Sequence, residues 1–114
     1  MKVTSSIKQN YEFRRVYNAG KSAATGLIVV YCRRGLRGRS RLGLTVGTKV
    51  GKAVVRNKVR RRLKEIYRLH EAEMRRGFDV VIVARVKSQV ATYQQLEKDF
   101  LRLADKLGLR EDQP

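Results

Sequence analysis

Apolar residues recur at helical spacing through the middle of the chain. In GKAVVRNKVRRRLKEIYR, residues 51–68, Val55, Val59, Leu63 and Ile66 stand at i, i+4, i+8 and i+11. At about 100° per residue these positions share one stripe, so the spacing predicts an amphipathic helix laid against a core. The opposite face carries Asn57, Arg60, Arg61, Lys64 and Arg68, and Arg56, Lys58 and Arg62 flank the stripe. The pattern extends towards Met74, with Gly77 as the stop. A second helical spacing, Leu96, Phe100, Leu103 and Leu107, follows a capping-box pair of Thr92 and Gln95 and runs out near Gly108. A third and shorter one, Phe13, Val16 and Tyr17, predicts a helix over about 10–19, with Asn10 as its N-cap, Glu12 in its first turn and Gly20 as its C′ residue.

Between these helices the period changes to two. LIVVYCRR, residues 27–34, places Leu27, Val29 and Tyr31 on one side and Ile28, Val30 and Cys32 on the other. Both sides are apolar, which predicts a strand covered on both faces. RLGLTVG, residues 41–47, puts Leu42, Leu44 and Val46 on one face and the small Gly43, Thr45 and Gly47 on the other, where a second element can approach closely. FDVVIVAR, residues 78–85, reads as another buried strand. Residues 21–25 suit a short strand or a turn, Gly35–Ser40 a Gly/Arg turn, Thr48–Lys52 a basic connection and Lys87–Ala91 a loop. Residues 1–9 read as loose or extended, and the EDQP tail as frayed. Helix, strands, helix, strand, helix in this order predicts one α+β domain without linker or repeat.

Charge sharpens the picture. The net charge is +17 and the pI about 11.0, but the charge is not spread evenly. Residues 33–68 hold fourteen cations and one acid, whereas residues 69–114 hold eight of each. From Arg56 to Arg68, seven cations meet only Glu65. Exposed helix faces are ordinarily stabilised by pairs of opposite sign at i,i+4. A face that repels itself in this way suits an extended polyanion, and a phosphate backbone is the obvious one. Arg33 to Arg41 and Lys49 to Lys52 are further basic stretches, which a solvated hairpin would also explain.

Catalytic and metal chemistry find little support. Cys32 is the only cysteine and His70 the only histidine, so no disulfide within the chain and no Cys/His zinc cluster can form, and His70 reads as a plain surface or helix-end residue. GTKVGK lacks the ending of a phosphate-binding P-loop. No apolar run is long enough to span a membrane and the opening residues lack a signal-peptide core, so the expectation is a cytoplasmic protein. The aromatics are more suggestive. Tyr17 lies near Arg14 and Arg15, and Tyr31 runs into Arg33 and Arg34. Phe13, Tyr17 and Tyr31 could each be core, or could offer unpaired bases a stacking surface beside phosphate contacts.

At AVVRNKVRRRLKE the sequence resembles the RNR signature of the bacterial ribonuclease P protein family. The resemblance extends to RLGLTVGTKVGK before it, NYEFRRVYNAGKS near the start and FDVVIVAR after it. It implies a single αβββαβα sandwich over 1–114, with an ordered core of about 4–108. The sheet would be mostly antiparallel with a left-handed βαβ crossover, similar to the second domain of a small-subunit ribosomal protein. It implies the protein subunit of a ribonucleoprotein endonuclease that removes the 5′ leader from precursor tRNA, with hydrolysis by the RNA subunit and its Mg²⁺ and no catalytic or metal-binding residue on the protein. Arg56, Asn57, Lys58, Arg60, Arg61, Arg62, Lys64 and Arg68 would bind the RNA subunit. Phe13, Tyr17, Tyr31, Lys49 and Lys52 would serve the single-stranded leader, with one protein monomer per RNA. Lys58 stands where the signature often has arginine, which keeps the charge but not the bidentate fork.

Other readings stay open at this level. Composition does not exclude a ribosomal or rRNA-binding structural protein. A DNA-binding helix would have few base-reading groups beyond Asn57. A nuclease acting through its own side chains lacks an acid or histidine constellation.

Overall fold

The computed structural model describes residues 4–35 and 39–110. In chain order the elements are β1 (Thr4–Ser6), α1 (Asn10–Ala19), β2 (Lys21–Ala24), β3 (Ile28–Arg34), β4 (Ser40–Val46), α2 (Ala53–His70), β5 (Phe78–Ala84) and α3 (Tyr93–Lys106). Short 3-10 turns cover Thr48–Val50, Glu71–Glu73 and Val86–Val90. The strands make one five-stranded sheet in the order β1-β4-β5-β3-β2.

The two-sided strand pattern is explained by what covers each face. Ile28, Val30, Cys32, Leu42, Val80 and Ile82 form a core with Val59, Leu63, Ile66 and Tyr67 of α2 and Leu96, Phe100 and Leu103 of α3. On the other face Val81 is buried with Val16 of α1 and Ile7, and Phe13, Tyr17, Tyr31 and Val83 pack around them. Each fully buried large side chain contributes roughly 1.5–3 kcal/mol, so the α2 stripe alone is enough to set how that helix seats. Parallel β4 and β5 are direct neighbours with α2 as the connection between them, which makes a βαβ unit.

Several details depart from the sequence reading. β1 is a true strand, paired in parallel with β4 through Thr4–Ser40 to Ser6–Leu42. Three polar residues show no alternation, so only the partner reveals it. With β1 in place the element order gains a leading strand over αβββαβα. The sheet becomes evenly mixed, with two antiparallel pairings (β2–β3, β3–β5) and two parallel ones (β4–β5, β1–β4). The α1 N-cap is Gln9 and not Asn10, and it makes no side-chain capping bond. Gly20 is extended and not left-handed; its place is steric, because a Cβ there would lie 2.3 Å from the Cys32 carbonyl oxygen and 2.7 Å from that of Val16. α2 stops at His70, short of Met74, and the chain tightens into the Glu71–Glu73 turn.

Other local signals are met. The Thr92 hydroxyl accepts from the Gln95 amide at 3.1 Å, and the Gln95 side chain accepts from the Thr92 amide at 2.9 Å. Gly108, at φ 72°, ends α3: its amide donates to Asp105 O and the Leu109 amide to Ala104 O, the paired bonds of a Schellman motif. Residues 36–38 of the Gly/Arg turn and the EDQP tail lie outside the described residues.

Candidate nucleic-acid interface

The N-terminal end of α2 is built against the helix dipole. Its N-cap is Lys52, its first turn holds no acid, and Arg56 and Lys58 follow. The N-terminal end of a helix carries partial positive charge and favours anions, so cations placed there cost stability until an anion covers them. The buried stripe is Val59, Leu63 and Ile66 as read, with Tyr67 added and Val55 half-buried. The reverse face presents Asn57, Arg60, Arg61, Lys64 and Arg68 to solvent, beside exposed Lys58.

These cations are not equivalent. Among the described residues Lys58, Arg60, Arg61 and Lys64 have no ion-pair partner. Arg68 grips Glu65 through its Nε and Nη2, at 3.0 and 2.5 Å, and those bonds hold the Glu65 carboxyl below the usual carboxylate range. Arg62 is half-buried and its Nη1 donates to the Ala91 carbonyl at 3.0 Å, tying α2 to the turn before α3. Arg56 is also half-buried, with its Nε out of solvent.

On the other side of the sheet the aromatics converge. Tyr17 meets Tyr31 edge to face at 4.9 Å between centroids, and Phe13 lies 6.4 Å from Tyr17. The Tyr17 hydroxyl is 2.8 Å from Thr45 Oγ1, which fixes the ring against β4. Arg41 pins α1 to the sheet: it forks onto Asp79 of β5 at 2.9 and 3.0 Å and also pairs with Glu12 of α1. That linkage satisfies the buried Asp79 carboxylate and holds the N-terminal half of α1 in register. A cleft of about 480 Å³ results, lined by Asn10, Phe13, Arg14, Tyr17, Thr45 and Arg60, among others. It runs along the part of β4 that β1 leaves unpaired. Arg60 joins it to a smaller hollow that reaches Lys64.

A cationic helix and an aromatic cleft thus meet at Arg60. The family model for ribonuclease P matches residues 1–108. The chain belongs to the ribonuclease P protein family. It is 43% identical over 106 residues to the ribonuclease P protein component of Clostridium botulinum, covering 92% of this chain and 96% of that one. It is 40% identical over 104 residues to that of Natranaerobius thermophilus, covering 91% and 90%. The solved structure of the Staphylococcus aureus RNase P protein superposes with a TM-score of 0.86 at 29% identity, over 93% of this chain and 97% of that one. That of Thermotoga maritima superposes with 0.78 at 29% identity, over 86% and 93%. The family places this chain in a tRNA-processing endoribonuclease as its RNA-binding protein component, with the ribonuclease P RNA as partner.

Measured against that role, the residues read from the sequence divide into groups. Asn57, Lys58, Arg60, Arg61, Lys64 and Arg68 share the open face of α2, while Arg62 faces α3 and acts within the fold. Phe13 and Tyr17 line the cleft; Tyr31 stands behind Tyr17 and supports it. Lys49 and Lys52 are exposed at the N-terminal approach to α2 and do not line the cleft. Arg14, which the sequence sets beside Tyr17, does line the cleft; that Arg60 of α2 also lines it was not legible in the sequence and follows only from how α1 and α2 sit on opposite faces of one strand. His70 does end α2, but it is no plain surface residue. Its Nδ1 lies 2.5 Å from Glu73 and its Nε2 2.9 Å from Glu97. Among the described residues no three acidic, histidine or cysteine side chains gather as a metal-ligand set, and no helix is long and apolar enough to cross a membrane.

Proposed function

We propose that this protein binds the ribonuclease P RNA through the open face of α2 and holds the single-stranded 5′ leader of precursor tRNA in the Phe13/Tyr17 cleft, one protein copy per RNA. The RNA subunit, with its Mg²⁺, carries out the hydrolysis. The protein's part is to raise affinity for substrates that carry a leader and to fix the junction between leader and tRNA. The observation that carries this reading is Arg60, which belongs at once to the unpaired cationic face and to the aromatic cleft. One strand of nucleic acid can therefore pass from phosphate contacts on α2 to stacking contacts on α1 without leaving the protein surface.

The chemistry matches the ligand. Cations without acidic partners displace counterions from a phosphate backbone, so affinity falls steeply with salt. Aromatic faces stack on any base, which suits a leader of variable sequence. Tyr17 is held in place by Thr45, so little rotamer freedom remains to be lost on binding.

Phe13→Leu tests this, because it keeps apolar volume on α1 and removes the π face. Affinity of the assembled enzyme should fall by roughly fivefold to 150-fold for precursor tRNA with a leader, the worth of one stacking contact, and should not change for mature tRNA. Equal loss on both, or on neither, would remove the leader from the cleft.

A further inference from the structure

At the far end of α1 the surface opens into a second hollow, of about 620 Å³. Lys21, Arg33, Arg34, Arg75 and Arg76 line it together with Phe78, and no carboxylate is among its lining residues. Arg34 lies over the Phe78 ring, 5.9 Å from its centroid. Asp79 is opposite Arg33 in the strand register, but both of its oxygens are taken by Arg41. Among the described residues none of the five cations has an ion pair. Five like charges around one concavity raise the local potential, and that potential favours an anion in the hollow.

This hollow is connected to the cleft. A shallow surface on α1 is lined by Tyr11, Arg14, Arg15, Asn18, Ala19 and Arg33. It shares Arg14 with the aromatic cleft, and Ala19 and Arg33 with the distal hollow. Tyr11 is 55% exposed and lies beneath the Arg15 guanidinium at 5.3 Å, an aromatic with a cation beside it on the outer side of α1. From Arg60 through Phe13 and Tyr17 to Arg14, Tyr11 and Arg15, cations and aromatics are interleaved, and from Arg33 onward the path is cationic.

We infer that the leader path continues past the aromatic cleft, over α1, and that the distal hollow binds the phosphodiester backbone of the 5′-distal leader segment. This rests on the leader reading above and extends it. α1 has ten residues and spans about 15 Å at 1.5 Å per residue, so the hollow engages only leaders long enough to cross that helix. The protein thereby senses leader length: short leaders fill the cleft, and longer ones add phosphate contacts at the distal end.

The test uses the enzyme assembled with ribonuclease P RNA. Precursor tRNAs with leaders lengthened one nucleotide at a time are titrated against the wild-type protein, Arg75→Gln/Arg76→Gln, and separately Lys21→Gln/Arg34→Gln. Wild-type affinity should rise with leader length in two stages. In either variant the first stage should remain and the second should be lost, by roughly tenfold, with the salt slope for long leaders reduced by about 1.4 for two single-strand phosphate contacts. Equal loss at every length, including mature tRNA, would assign these cations to the RNA subunit and overturn the inference. No loss at any length, with a lowered melting temperature, would assign them to the C-terminal dipoles of α1 and α3 and also overturn it. A wild-type protein indifferent to leader length would instead sink the cleft reading itself.

Discussion

The ring of Phe13 fills the space that a side chain on residue 43 would need: a Cβ placed on Gly43 would lie 2.6 Å from Phe13 Cε1. Gly43 is opposite Val81 in β5, and Val81 is opposite Tyr31 in β3. The lack of a side chain at this one row lets α1 settle deeply enough for Phe13 and Tyr17 to form the cleft.

Gly43→Ala should therefore push Phe13 and α1 outward. The expected cost is about 1–3 kcal/mol, the usual penalty for overfilling a packed site. It should be accompanied by weaker leader-dependent binding and, if the RNA subunit binds the open face of α2 as proposed, by unchanged binding of that RNA. Urea unfolding and binding to leader-bearing and leaderless tRNA measure both. A variant of wild-type stability with intact leader binding would show that the close approach is not what shapes the cleft.

Arg61 and Arg62 are adjacent and should behave oppositely. Arg61→Ala removes a free cation, so the slope of log affinity for RNA against log salt should shrink by about 0.7–0.9 while stability stays unchanged. Arg62→Ala removes the bond to Ala91 O and should cost about 1 kcal/mol of stability, with the salt slope unaltered. Salt titrations and melting curves on both variants decide the assignment; the reverse outcome would place Arg62 on the RNA.

His70 ties α2 to α3 through Glu97 and to the following turn through Glu73, and Glu73 in turn accepts from Arg110. Burial works against the imidazolium, but the hydrogen bonds to two carboxylates outweigh it and raise the His70 pKa above its ordinary 6.5. A raised folded-state value means that the stabilisation is complete below the unfolded pKa and is lost as pH rises through the folded one. His70→Gln should flatten the decline of stability across that alkaline side, seen as denaturant midpoints measured through the neutral range. Identical pH profiles for wild type and variant would mean that the imidazolium is not what holds the two helices. On the acid side, Glu73 is held below the usual carboxylate range by its bond to His70, so its contribution fades as pH falls through that lowered value.

What was legible in the sequence was whatever is encoded locally. The α2 stripe, the Thr92/Gln95 cap and the two-sided alternation of β3 each lie within a few neighbouring residues, and each is met. The small residues Gly43 and Thr45 correctly announced a close approach, though not by which element. The rest depends on partners distant in sequence. Arg41 meets Asp79 across 38 positions, and Arg62 meets Ala91 across 29; nothing local distinguishes Arg62 from Arg61. β1 is strand only because β4 leaves its outer edge open at Ser40–Leu42. Propensity marks Gly20 as a helix stop, whereas the carbonyls of Val16 and Cys32 are what exclude a side chain there.

The central claim is that this protein positions the leader while the RNA performs the cleavage. Single-turnover cleavage of precursor tRNA by ribonuclease P RNA at low Mg²⁺, with and without this protein, tests it most directly when two substrates are compared, one with a leader of several nucleotides and one with almost none. The account predicts strong rescue by the protein on the long-leader substrate and much weaker rescue on the short one. Equal rescue on both would keep the subunit and remove the leader from the cleft; no rescue with a cognate RNA would contradict the account as a whole.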